Sequence, residues 1–231
     1  MPTYHTNKSY DSDLRLLSDH ILLIASRVEK MVVNSVKALS QNDQKLALET
    51  IAYDKIIDKD EMLIDRQCLE LLAQRQPLGQ DLRFVVAVLK MVTYFERIGD
   101  LAVKICQRVI KLKVQKDASA IKGIEEMALL VQEMIKEVIE AFLLQDNSRA
   151  LRVIQQDDAI DEIYHQTTRL YIKEMADSGT ETEAYYHLLS IAKWLERMGD
   201  HCTNLAELII FMVKGEDVRH QQIHSSKRTE S

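Results

Sequence analysis

Two stretches of the chain repeat one pattern: Glu96-Arg97-Ile98-Gly99-Asp100 and Glu196-Arg197-Met198-Gly199-Asp200. In each, the Glu and the Asp stand four residues apart, so a helix presents both on one face. Like charges at that spacing repel, at a cost of roughly 0.2–0.5 kcal/mol, and a bound cation turns the cost into a gain. One such pair means little by itself. Glu133 and Glu137 share the spacing, no site is assigned to them, and in a chain with 36 acidic residues a solvated face is the common explanation.

Two further stretches change the balance. Asp54-Lys55-Ile56-Ile57-Asp58 and Asp157-Asp158-Ala159-Ile160-Asp161 are also four-spaced carboxylate pairs, each with Ile before its second Asp. In an antiparallel helical hairpin, residues equidistant from the turn face each other. Asp54 and Asp58 reflect onto Glu96 and Asp100 through Pro77. Asp157 and Asp161 reflect onto Glu196 and Asp200 through Ser178-Gly179. Each reflection brings four carboxylates to one height, an arrangement strongly disfavoured without a cation. Carboxylate oxygens suit Mg²⁺, Mn²⁺ or Fe, and more than one ion can share such a cluster; Zn²⁺ also accepts oxygen ligands.

The expected ligands are therefore Asp54, Asp58, Glu96 and Asp100 in one half, and Asp157, Asp161, Glu196 and Asp200 in the other. Asn204 lies one turn beyond Asp200 and adds a further oxygen donor, whereas the matching place in the first half is Lys104. That difference marks the second cluster as the stronger site. Gly99 and Gly199 sit inside the helical pattern, where glycine costs about 1 kcal/mol against alanine. Their repetition at one register points to close packing or to room for an ion. Arg97 and Arg197 fall one residue off the acidic face and are read as surface or inter-bundle ion-pair partners.

Long helices must hold these residues. The chain has 231 residues but only 6 Gly and 2 Pro, too few breakers for the many turns of a sheet protein. Apolar residues recur at three- and four-residue spacing almost throughout. The pattern gives helices over about 11–39, to 74, to 113, 119–144, to 176 and 181–214. Breaks fall at Ser40-Gln41-Asn42-Asp43, where Ser40 or Asn42 can cap the next helix, and at Arg75 to Gly79, where Pro77 forbids continuation. The later breaks are Asp146-Asn147-Ser148 and Asp177 to Thr180, and Gly215 ends the last helix. The motif glycines lie 100 positions apart, as does the pair of Glu residues. A duplication explains this: an all-α protein of two tandem antiparallel three-helix bundles, over 10–115 and 116–215, with a polar, disordered tail at 216–231.

Composition narrows the function. A net charge of −6 argues against nucleic acid, which needs a basic surface. Cys68, Cys106 and Cys202 have no metal-ligand spacing and read as reduced core thiols of a cytosolic protein. No segment resembles a targeting signal, and no apolar run approaches the roughly 20 residues of a membrane span.

The repeated Glu-Arg-X-Gly-Asp motif, the Asp-X-X-Ile-Asp pairs and Pro77-Leu78-Gly79-Gln80-Asp81-Leu82-Arg83 resemble the PhoU family of phosphate-uptake regulators, from about Tyr10 to Lys214. The resemblance implies two three-helix bundles and multinuclear clusters of iron or other divalent metal on the residues named above. It also implies a cytoplasmic, homodimeric negative regulator of phosphate uptake and of the phosphate-starvation response. Its partners would be the phosphate transporter's ATPase subunit and the phosphate-sensing histidine kinase. The second half lacks the Pro-X-X-X-Asp-Leu-Arg opening and has Thr180-Glu181-Thr182-Glu183 near that place.

Two enzyme readings compete. A di-iron oxidase uses Glu-X-X-His twice, and only Glu162 and His165 supply it, with His165 read as a partly buried histidine. A metal-dependent phosphohydrolase needs a base or a phosphate clamp, and no Gly-rich phosphate loop or nucleophile–base set is present. Tyr185, Tyr186 and Trp194 are read as core or interface residues. The chain is accordingly expected to be a non-enzymatic, metal-binding adaptor.

Overall fold

The computed structural model describes residues 8–112, 118–178, 182–216 and 218. Six helices follow in order: α1 (Lys8–Gln41), α2 (Gln44–Arg75), α3 (Gly79–Lys111), α4 (Ala118–Leu144), α5 (Asn147–Ser178) and α6 (Thr182–Lys214). No strand occurs among the described residues. The inferred bundle boundary near 115 and nearly all of the tail lie outside them.

The turns display the duplication at atomic detail. After α1, Asn42 adopts φ 50° and its N–H donates to the Leu39 carbonyl, while the Asp43 N–H donates to the Ala38 carbonyl. After α4, Gln145 adopts φ 51° and repeats both bonds, with Gln145 donating to Phe142 and Asp146 to Ala141. Each is a helix stop closed through a left-handed residue. The next residue then starts the following helix. The Asp43 carboxylate accepts from the Leu46 N–H at 2.9 Å, and Asp146 accepts from the Ser148 N–H at 2.8 Å. The cap of α2 is thus Asp43 rather than Ser40 or Asn42, because the left-handed turn consumes Asn42.

At the α2–α3 turn, Gln76 is left-handed (φ 47°), Pro77 is buried, and α3 opens at Gly79 (φ 57°). The opening of α3 serves the architecture. Asp81 accepts from the Tyr10 hydroxyl at 3.0 Å, and Arg83 Nε donates to the Met212 carbonyl at 3.3 Å in the last turn of α6. A cation there complements the helix dipole.

Within each half all three helices touch one another, and the halves join through α3 against α6 and α1 against α4. Helices α2 and α5 flank this four-helix centre, each packing on its own half. Three contacts define how α3 meets α6: Tyr94 with His201, Arg108 with His187, and Arg83 with Met212. They fall on one antiparallel register, so the two Glu-Arg-X-Gly-Asp motifs stand side by side at one height. The core beneath is aliphatic, with Met31, Ile57, Phe95 and Ile98 from one half and Met134, Ile160, Leu195 and Met198 from the other, all at most 1% exposed. Cys68, Cys106 and Cys202 are free, buried thiols within it.

Candidate functional site

In the first half, Asp54 and Asp58 on α2 meet Glu96 and Asp100 on α3. Burial raises Asp54 above the usual carboxylate range, and the charges of Asp58 and then Asp100 add to it. Burial also pushes Glu96 up to about 7, reinforced in turn by Asp100, Glu61, Asp54 and Asp58. The last three lie on the neighbouring helix, and the Asp54 Oδ1 stands 3.9 Å from where a Cβ on Gly99 would be, so the reflection through Pro77 places the pairs together. Glu61 is a fifth carboxylate that the four-residue spacing did not reveal. Burial raises it, followed by Asp65, Asp58 and Asp100. Its signal in the sequence is one further helical turn from Asp58, on the same face.

In the second half, Asp157 and Asp161 on α5 meet Glu196 and Asp200 on α6. Asp157 is 8% exposed and its Oδ1 has no hydrogen-bond partner. Burial pushes it up to about 7, with Asp200, Asp161, Glu196 and Asp158 adding. Burial likewise raises Asp161 and Asp200, with Glu196 the next contributor for each. Glu196 Oε2 is buried and unbonded, while its Oε1 accepts from Lys193 Nζ at 2.6 Å. Lys193 also lies 5.2 Å from the centre of the Tyr164 ring. This exposed lysine has no counterpart in the first half, where Thr93 takes the matching position.

Asn204 and Lys104 distinguish the two clusters in sequence, and a third residue, Lys193, distinguishes them in the structure. The Asn204 amide donates to the Asp200 backbone carbonyl at 2.8 Å, tying it to its own helix. Lys104, expected to weaken the first cluster, is exposed. The cation that bonds a cluster carboxylate directly is Lys193, in the second.

The glycines also differ. A Cβ on Gly99 would find Ile57 at 3.7 Å and the Asp54 Oδ1 at 3.9 Å, ordinary contacts. A Cβ on Gly199 would strike the Asp157 Oδ1 at 2.9 Å and Ile160 Cδ1 at 3.0 Å. Gly199 makes the space that lets α5 carry Asp157 against α6; Gly99 does not.

These donor sets fit a hard or borderline divalent cation, since they are carboxylate-rich and two buried oxygens lack a partner. Among the described residues, no three His, Cys, Asp or Glu side chains stand close enough to grip one ion as they are placed.

Other expected residues take different places. Arg97 lies with its guanidinium 5.6 Å from the Tyr94 ring centre, on the α3–α6 seam. Burial lowers His201 to about 4, and Arg97 and Arg197 push in the same direction. Glu162 and His165 are both exposed on α5, and Glu162 accepts from Gln166 at 2.8 Å, so they do not form a ligand pair inside the bundle. Tyr185 is buried with its ring tilted against Tyr171, whereas Tyr186 is 53% exposed.

Known proteins share this design. The PhoU domain model matches residues 21–109 and 124–209, once in each half. The chain is 37% identical over 221 residues to a phosphate-specific transport system accessory protein PhoU homolog of Caulobacter vibrioides, covering 95% of this chain and 96% of that protein. It is 29% identical to the Escherichia coli phosphate-specific transport system accessory protein PhoU, over 94% and 90% of the two chains. The crystal structure of PhoU from Pseudomonas aeruginosa superposes with a TM-score of 0.86 at 33% identity, over 90% of this chain and all (100%) of that one. PhoU from Streptococcus pneumoniae superposes with a TM-score of 0.83 at 28% identity, over 90% and 99%. The chain belongs to the PhoU family, with one PhoU domain in each three-helix bundle.

Proposed function

We propose that this chain is an accessory protein of a phosphate transport system and acts as a negative regulator of phosphate uptake and of the phosphate-starvation response. It does so as a metal-binding adaptor working through protein contacts rather than as an enzyme. The observation that carries the reading is the twofold acidic cluster, held at one height on adjacent helices in a chain whose relatives bear the accessory-protein name. Partially buried carboxylates that raise one another have a use if a cation completes them.

Asp54, Asp58, Glu61, Glu96 and Asp100 would hold metal in the first domain; Asp157, Asp161, Glu196 and Asp200 would hold it in the second, with Asn204 at the edge. Bound metal would neutralise the clusters and clamp α2 to α3 and α5 to α6. These residues' own part is to present oxygens from two helices at once, so that metal occupancy is coupled to helix packing. Iron, manganese, magnesium and zinc all suit such oxygens. No helix of the described residues is long and apolar enough to cross a membrane. The proposed partners are the transporter's ATPase subunit and the phosphate-sensing histidine kinase, with the chain acting in the cytoplasm as a homodimer.

The test is a deletion strain grown in high phosphate. Derepressed phosphate uptake and alkaline phosphatase are expected, restored to repression by the wild-type gene. Unchanged repression in the deletion strain overturns the reading.

A further inference from the structure

We propose that the outer face formed by α3 and α6 is a docking surface for an acidic segment of a partner protein. Helix α3 places Lys90, Arg97, Lys104, Arg108 and Lys111 at steps of seven, seven, four and three residues, which keeps all five on one face. Helix α6 adds Arg197 at the height of Arg97. Apart from the half-buried Arg108, all are exposed. None of the six forms an ion pair with a described residue.

Other cations of the chain do find carboxylates: Arg27 pairs with Asp60, Arg75 with Asp13, and Arg149 with Glu137. On this face aromatic rings take their place. The Arg108 guanidinium lies 5.5 Å from the Trp194 ring centre and 5.7 Å from that of Tyr186. A guanidinium held flat by rings keeps its edge free to grip a carboxylate.

Shape selects the partner. The row from Lys90 to Lys111 runs about 32 Å at 1.5 Å per residue, and it is about one helix wide. Acidic clusters border it on both sides, on α2–α3 and α5–α6. A membrane or a DNA duplex is a broad phosphate surface and would face those carboxylates as well as the row. A single acidic helix or strand is narrow enough to follow the row. Tyr94, Trp194 and Tyr186 supply apolar contacts for side chains between its charges. The inference goes beyond the regulatory reading and stands whether or not the chain governs phosphate uptake.

The experiment is fluorescence anisotropy of the full chain with a fluorescein-labelled Glu-rich helical peptide, the same peptide with Gln for Glu, duplex DNA, and vesicles containing anionic lipid. The Glu-rich peptide is expected to bind, more weakly as salt rises. The Arg97→Glu/Arg197→Glu double variant should lose on the order of tenfold in affinity. Lys104→Glu alone, at an exposed side chain, should lose a smaller part, and Lys173→Glu on α5 should lose none. Circular dichroism confirms that each variant is folded. Equal binding of the Glu and Gln peptides, full affinity in the Arg97→Glu/Arg197→Glu variant, or capture of DNA or vesicles alone would overturn the proposal.

Discussion

The two acidic clusters share a scaffold and differ in chemistry. Both are four-spaced carboxylate pairs on neighbouring antiparallel helices. In the first, Glu61 adds a carboxylate to the set, Arg97 acts on it only through its field, and no lysine or arginine is paired with any of its carboxylates among the described residues. In the second, the Glu61 position is Tyr164, Thr93 becomes Lys193, and the lysine bonds Glu196 directly. The first cluster thus holds the larger uncompensated charge. The second is deeper and tighter, with Asp157 8% exposed and pressed against Gly199. Duplication copied the backbone; two substitutions between equivalent positions gave the copies different electrostatics.

The largest expected effect tests whether the clusters bind independently. Asp54→Ala/Asp100→Ala and Asp157→Ala/Asp200→Ala should each abolish the metal of one cluster and leave the other filled. Elemental analysis after loading the untagged protein with Fe²⁺, Mn²⁺ or Zn²⁺ reads this out. Metal-free protein that takes up no ion at all would refute both sites.

Acidity comes next. In the metal-free chain the folded state holds Asp157 at about 7, above the usual Asp value. The folded state therefore binds the proton more tightly than the unfolded chain does. Its contribution to stability is fully present below about pH 4 and is lost as pH rises through about 7. The total is on the order of 2–4 kcal/mol for so buried a group. Urea denaturation across this window should show wild type losing stability relative to Asp157→Asn, and divalent metal should erase the loss. A flat difference between the two proteins would show that the carboxylate is not charged against its surroundings. Glu96→Gln should show the same sign in the first cluster.

The glycines separate the clusters by packing. Gly199→Ala should destabilise by roughly 1–3 kcal/mol, because the new methyl meets Asp157 and Ile160. Gly99→Ala meets only ordinary contacts and should stabilise by roughly 0.5–1 kcal/mol through helix propensity. Equal effects in thermal melts would mean that the helix pairs are equally close. The smallest effect is at Lys193. Its pair with Glu196 is partly exposed, so Lys193→Thr should change stability by less than about 1 kcal/mol. The same change should tighten metal binding at the second cluster a few-fold by calorimetry, making it resemble the first.

Much of this was legible before folding was considered. Scarce Gly and Pro, the apolar period and the 100-residue spacing specified six helices in two copies, and the observed ends fall within about three residues of those read from the sequence. The four-spaced carboxylates and the reflection through Pro77 found the first cluster, since a hairpin of straight helices leaves little choice of partner. Features that depend on a third element or on side-chain direction were not legible. Asp43 rather than Asn42 caps α2 because the left-handed turn claims Asn42.

The sequence by itself therefore determined the helices, the duplication and the pairing of acidic faces, because these follow from local periodicity and short connections. Tertiary structure alone decided the rest. Burial raised Glu96 and Asp157 above the usual carboxylate range, and packing set Gly199 closer to its neighbouring helix than Gly99. Lys193, rather than Lys104, became the cation that bonds a cluster carboxylate directly. The antiparallel meeting of α3 with α6 set the two motifs side by side and turned a basic row outward. Depth and the contact between halves depend on how whole helices pack, and no local spacing encodes them.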